Sequence, residues 1–81
     1  MRINVRFFAI LRDRAGVPQA TIELPSEANV SAALEAVAAK FPAIVSDLKR
    51  SAFAVNRSYV ARDAVLRDGD ELALIPPVSG G

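Results

Sequence analysis

A chain of 81 residues, 52% of them hydrophobic, holds one core and excludes both a disordered chain and a large multidomain one. The formal net charge is +1, and Lys and Arg are scattered from Arg2 to Arg67, which leaves no basic stripe for a nucleic acid backbone; no apolar run approaches a membrane span and no leader pattern opens the chain, so a soluble cytoplasmic protein is expected. Cys and His are both absent, which excludes thiol catalysis, imidazole acid–base chemistry, zinc sites and a disulfide framework.

Over residues 2–12, Ile3, Val5, Phe7, Ala9 and Leu11 alternate with Arg2, Asn4, Arg6 and Arg12, the pattern of one half-buried strand whose polar face is interrupted by Phe8 and Ile10. Residues 13–18 carry turn punctuation at Gly16 and Pro18. Residues 20–24 are short, β-branched and alternating, so the two runs are expected to pair as a β-hairpin that Pro25 closes. Asn29 stands at an N-cap position ahead of residues 30–41, where Val30, Leu34, Val37, Ala38 and Phe41 form one stripe of an Ala-rich amphipathic helix ended by Pro42.

Residues 44–48 fit a further helical turn, and residues 52–55 read as a strand entering an Asn56-Arg57-Ser58 turn. Tyr59-Val60 is a short strand, and the turn at residues 67–70 delivers a last strand, residues 71–75, before Pro76-Pro77. A hairpin, a crossing helix and further strands in the order β-β-α-β-β-β predict an α+β single domain of the β-grasp (ubiquitin-like) kind over residues 1–75, a mixed sheet covered by one main helix. Strand and helix periodicities together select Ile3, Val5, Phe7, Val30, Leu34, Val37, Phe41, Leu72 and Leu74 as its core. Phe8 and Ile75, each pointing away from that core, are expected on one exposed apolar patch that binds partners. Asp68, Asp70 and Glu71 are read as a solvated turn rather than as a metal or acid–base cluster.

The tail, residues 76–81, is Pro76-Pro77-Val78-Ser79-Gly80-Gly81. The prolines lack N–H donors and favour polyproline II, and the glycines have nothing to pack, so this segment is expected to project, reaching on the order of 20 Å at roughly 3.1–3.3 Å per residue. Taken alone a Gly-Gly end is also what a frayed terminus looks like. After a β-grasp pattern it reads as an arm for a narrow channel, where any Cβ would clash, ending in a carboxylate that an ATP-using partner activates.

Phe7-Phe8-Ala9 followed by Arg12, Val55-Asn56, Asp68-Gly69-Asp70-Glu71 and the whole 76–81 tail resemble the molybdopterin synthase small subunit, of the ubiquitin-like sulfur-carrier family, over essentially the entire chain. The resemblance implies a sulfur carrier in molybdenum cofactor biosynthesis. Its Gly81 carboxylate is adenylated with ATP by a ubiquitin-activating-enzyme-like adenylyltransferase, then converted by a sulfur donor to a thiocarboxylate. That thiocarboxylate supplies sulfur to cyclic pyranopterin monophosphate within the synthase large subunit, in an assembly implied to be a heterotetramer. It implies further that Arg12 and Tyr59 join Phe8 and Ile75 on the partner surface, with Pro76, Pro77, Val78, Ser79 and Gly80 gripped by the partners and Gly81 as the reactive residue. No metal or cofactor is implied on this chain. A carrier for thiamine thiazole synthesis, a ubiquitin-like protein modifier and a β-grasp binding module with an inert tail are the competing readings.

Overall fold

In the computed structural model, which describes residues 1–77, the alternating start of the chain forms β1 (Arg2–Phe7), with Ile3, Val5 and Phe7 turned inward. It lies inside a five-stranded sheet of order β2-β1-β5-β3-β4, in which β2 is Gln19–Glu23, β3 Ala52–Val55, β4 Ser58–Val60 and β5 Glu71–Ile75. The β1–β5 pair is parallel, running from Asn4 beside Glu71 to Phe7 beside Leu74, and the other pairs are antiparallel. The α+β, β-grasp arrangement expected from the element order is therefore the one found.

The first strand is shorter than its pattern implied. It stops at Phe7, and residues 10–15 form the helix α1 (Ile10–Ala15) instead of continuing the strand. The chain breaks at Ala9, which takes φ 51° and ψ −125°. Beyond it the backbone bonds turn helical, with Leu11 N–H donating to the Phe8 carbonyl at 3.0 Å and Asp13 N–H to the Ala9 carbonyl at 3.2 Å. Gly16, at φ 83°, ends α1 by donating its N–H to the Arg12 carbonyl, the left-handed exit that glycine makes without a Cβ penalty. β1 and β2 still pair, in register from Arg2–Glu23 to Arg6–Gln19, but a helix joins them where a tight turn was expected.

The main helix α2 (Val30–Lys40) starts where the cap predicts, the Asn29 side-chain oxygen accepting from Ala32 N–H at 2.9 Å, a cap that contributes about 1 kcal/mol. Val30, Ala33, Leu34 and Val37 bury its inner stripe against the sheet. After Phe41 the chain continues as a 3-10 turn (Pro42–Ile44) and the short helix α3 (Val45–Leu48), which adds Ile44 and Leu48 to the core. Of the expected core, Phe41 is the exception: it is half-buried, packed edge-on to Phe7 with ring centroids 5.1 Å apart. The core also takes Leu11, Ile22, Leu24, Phe53 and Leu66. Leu66 is held in place by the loop before β5, whose backbone bonds to the start of α2 through Val30 N–H to the Ala64 carbonyl and Leu66 N–H to the Ala28 carbonyl, both at 2.9 Å. Among the described residues no polar or charged residue is buried, and no helix is long and apolar enough to cross a membrane.

Candidate functional site

Among the described residues the helices lie on one face of the sheet and leave the other open. Alternation along each strand decides what stands there. The pairing registers place Arg6 (β1), Ala73 (β5), Ala54 (β3) and Tyr59 (β4) in one row across it. Ile75 and Ala52 pair in a neighbouring row, and Phe8 follows Arg6 just beyond the end of β1. The two central alanines fill little space, so the long side chains around them form a rim: Arg6, Phe8, Arg57, Tyr59 and Ile75, together with Glu71, bound a concavity of about 310 Å³ floored by Ala54 and Ala73. Phe8 is 37% exposed and Tyr59 74%.

The rim sets the apolar bodies of Phe8, Tyr59 and Ile75 among the charges of Arg6, Arg57 and Glu71. The Arg6 guanidinium lies 5.2 Å from the centre of the Phe8 ring and 3.9 Å from the Glu71 carboxylate, a pair exposed enough to add little stability while orienting Arg6. Arg57 belongs to the turn between β3 and β4, in which Asn56 (φ 49°) and Arg57 (φ 73°) are both left-handed, as a two-residue hairpin turn of matching twist requires.

Ile75 ends β5, so it stands at the root of the tail. On its far side lies a second concavity, of about 770 Å³, lined by Ala9, Ile10, Asp47, Arg50, Ile75, Pro76 and Pro77. Asp47 of α3 reaches Arg14 of α1 at 3.2 Å, tying together the two short helices of this region. The tail root thus leaves the sheet with a hollow on either side.

Of the residues expected on the partner surface, Phe8, Tyr59 and Ile75 are brought together on the open face, while Pro76 and Pro77 line the second hollow. Arg12 is not with them: it sits exposed on α1, lining neither hollow, because the chain leaves the sheet at Ala9. Val78, Ser79, Gly80 and Gly81 lie outside the described residues. Arg6, Arg57, Ala54 and Ala73 were not anticipated; the signal for the alanines was two small residues at outward positions of neighbouring strands. The acidic turn is used for hydrogen bonding: Asp68 accepts from Arg2 N–H at 2.7 Å, and Asp70 accepts from Arg67 N–H at 2.8 Å and from the Asn56 amide at 2.9 Å. Among the described residues no group of three or more acidic side chains is placed to hold a metal ion.

A β-grasp sheet with one face under helices, the other open, and the last strand running into Pro76-Pro77 places the molecule in the class of ubiquitin-like proteins. Residues 5–81 match the model of the ThiS family. The chain is 43% identical over 83 residues to the molybdopterin synthase sulfur carrier subunit of Chlamydomonas reinhardtii, with 100% of each chain covered. It superposes on SAMP1, a small archaeal modifier protein from Haloferax volcanii, with a TM-score of 0.94 at 30% identity and 100% of both chains covered. A chain in the complex of subunits 1 and 2 of the molybdopterin-converting factor from Helicobacter pylori matches with a TM-score of 0.70 at 29% identity, again over 100% of both. The chain belongs to the ThiS family, and the resemblance drawn from its motifs is borne out by relatives that carry the name molybdopterin synthase sulfur carrier subunit.

Proposed function

We propose that this chain is the sulfur carrier of molybdenum cofactor biosynthesis, with Gly81 as the reactive residue and the open face as its docking surface. The observation that carries this reading is the full-length 43% identity to a molybdopterin synthase sulfur carrier subunit. The Gly81 carboxylate is a poor electrophile. Attack of its oxygen on ATP, catalysed by a ubiquitin-activating-enzyme-like adenylyltransferase, forms an acyl-adenylate and releases pyrophosphate; a sulfur donor then displaces AMP, leaving a thiocarboxylate. Within the synthase large subunit the thiocarboxylate sulfur attacks cyclic pyranopterin monophosphate and displaces an oxygen substituent, and water then cleaves the resulting thioester, leaving the sulfur on the pterin and returning the Gly81 carboxylate. With no Cys or His anywhere in its sequence, the chain supplies no thiol and no imidazole. The acid–base groups of these steps belong to its partners, and its own contribution is to dock and to present the arm.

Incubation with ATP, the cognate adenylyltransferase and a sulfur donor should exchange one terminal oxygen for sulfur, read by intact mass. The charged carrier should then yield molybdopterin with the large subunit. An unchanged mass in the presence of an adenylyltransferase active on a known carrier overturns the proposal. The close superposition on SAMP1 favours one second reading, attachment of the activated terminus to lysines of other proteins; lysine-linked adducts purified from the native host would establish it.

Phe8→Ala and Ile75→Ala test the docking face. Each should weaken binding to the large subunit and to the adenylyltransferase about tenfold or more, roughly 1.4–2 kcal/mol, because apolar anchors at the centre of an interface carry most of its energy. Titration calorimetry with each partner reads this, and unchanged affinity for both partners removes the face from the site.

A further inference from the structure

The two motifs Val55-Asn56 and Asp68-Gly69-Asp70-Glu71, distant in sequence, meet as one hydrogen-bonded clasp. Asn56 N–H donates to the Glu71 carbonyl at 2.9 Å, and its side-chain oxygen accepts from Glu71 N–H at 3.0 Å. Its side-chain nitrogen donates to Asp70 Oδ1 at 2.9 Å, while Asp70 Oδ2 accepts from Arg67 N–H at 2.8 Å. The Asp70 carbonyl in turn accepts from Asn4 N–H of β1 at 3.0 Å. These side-chain bonds are exposed, so each adds little to stability.

What they fix is geometry. β4 is an edge strand that pairs only with β3, and the turn before it carries Arg57. The β3–β5 ladder ends at Val55 beside Leu72, so past that point the clasp is what ties the turn carrying Arg57, and with it the start of β4, to β5. With it, the turn is referenced to the first residues of β5, whose Glu71 also orients Arg6. Rim residues from three parts of the sheet are thereby held to one point.

We propose that Asn56 and Asp70 are positioning residues for the docking face, acting on partner binding through Arg57 and Tyr59; this rests on the reading of that face given above. In Asn56→Asp two carboxylate oxygens meet where an amide met a carboxylate, and in Asp70→Asn a single oxygen is left to serve two donors. The combined N56D/D70N exchange restores every bond, since the new carboxylate at position 56 accepts from Glu71 N–H and from the new amide, whose oxygen accepts from Arg67 N–H. Asn56→Gly keeps the left-handed backbone without strain and deletes only the side-chain bonds.

The test is affinity of the full chain for the synthase large subunit, with thermal unfolding run on each variant. N56D, D70N and N56G should each bind about tenfold more weakly, N56D/D70N should recover to within about threefold of the parent, and N56D should cost less than about twofold in an Arg57→Ala/Tyr59→Ala background, as expected for residues acting through one another. Parent-like affinity of N56G and N56D overturns the proposal, as does failure of a folded N56D/D70N to recover. An equal loss with and without Arg57 and Tyr59 overturns it too, because the effect would then be one of general stability. Should N56D fail to fold, N56G and the exchange decide. If the Arg57→Ala/Tyr59→Ala protein itself binds as the parent does, the docking face falls and this proposal with it; if that protein binds weakly while the Asn56 variants do not, only this proposal falls.

Discussion

Replacing Phe7 with alanine should destabilise the domain by about 3–5 kcal/mol, read from urea unfolding at unchanged m-value. Its ring is 2% exposed, at the end of β1 beside Leu74 of β5, and lies edge-on to Phe41 at 5.1 Å. Truncation removes the transfer energy of the ring and leaves a cavity between the central strand pair and the end of α2. Phe41, being half-buried, is free to lean into that space, so the loss belongs in the lower part of the range. Against a total of roughly 5–10 kcal/mol for a domain of this size, even that is about half the stability. Phe8, one residue on, faces the other way, so Phe8→Ala should lower partner affinity with a far smaller effect on unfolding. A loss below about 1 kcal/mol for Phe7→Ala would reverse the inward and outward faces of β1 and with them the docking face.

That face was legible to the extent that it rests on alternation. Ile3, Val5 and Phe7 fix which side of β1 is buried, and Phe8 and Ile75 then follow as outward apolar residues, of which Phe8 is exposed and Ile75, expected to be exposed as well, is half-buried. Asn29 and the stripe from Val30 to Val37 were equally plain, because cap and helical period agree. The period-2 reading failed past Phe7: Ala9 and Leu11 keep the strand alternation by coincidence, since a single buried Leu11 satisfies one turn of helix as well as the next strand position. The positive φ at Ala9, which ends the strand, leaves no mark in an alanine. Arg12, placed on the partner surface by resemblance, stands exposed on α1, apart from the two hollows. Ile44, Leu48 and Leu66 lie in pieces too short to show a period, so their burial is set by what the loops cross. Ala54 and Ala73 matter by being small, and the meeting of Asn56 with Asp70 depends on the β3–β5 pairing, which spacing along the chain does not reveal.

Deleting Gly81, or appending residues after it, should abolish sulfur transfer while leaving the unfolding midpoint nearly unchanged. The core runs from Ile3 to Leu74, and the residues after Pro77 are Val78, Ser79 and two glycines, which have little side-chain surface to bury. Stability is therefore indifferent to the change. On the function proposed above chemistry is not, because a carboxylate moved back to Gly80 would stop about 3.3 Å short of the activating centre, and displacement of a reacting group by 1 Å costs on the order of 10²-fold in rate. An appended residue fails for a different reason: the Gly81 carboxylate becomes an amide, with no oxygen free to attack ATP, and the new terminus lies past the channel. Gly80→Val and Gly81→Val should fall between, since each keeps a terminal carboxylate but adds a Cβ and a restricted φ to an arm that, on the proposed reading, threads a narrow passage. The measurements are thiocarboxylate formation by intact mass, molybdopterin formation with the large subunit, and thermal unfolding of each variant. Full activity of a protein extended past Gly81, with the extension shown to remain attached, removes Gly81 as the reactive residue. Lost activity accompanied by a midpoint lowered as far as Phe7→Ala lowers it would instead make the tail part of the fold.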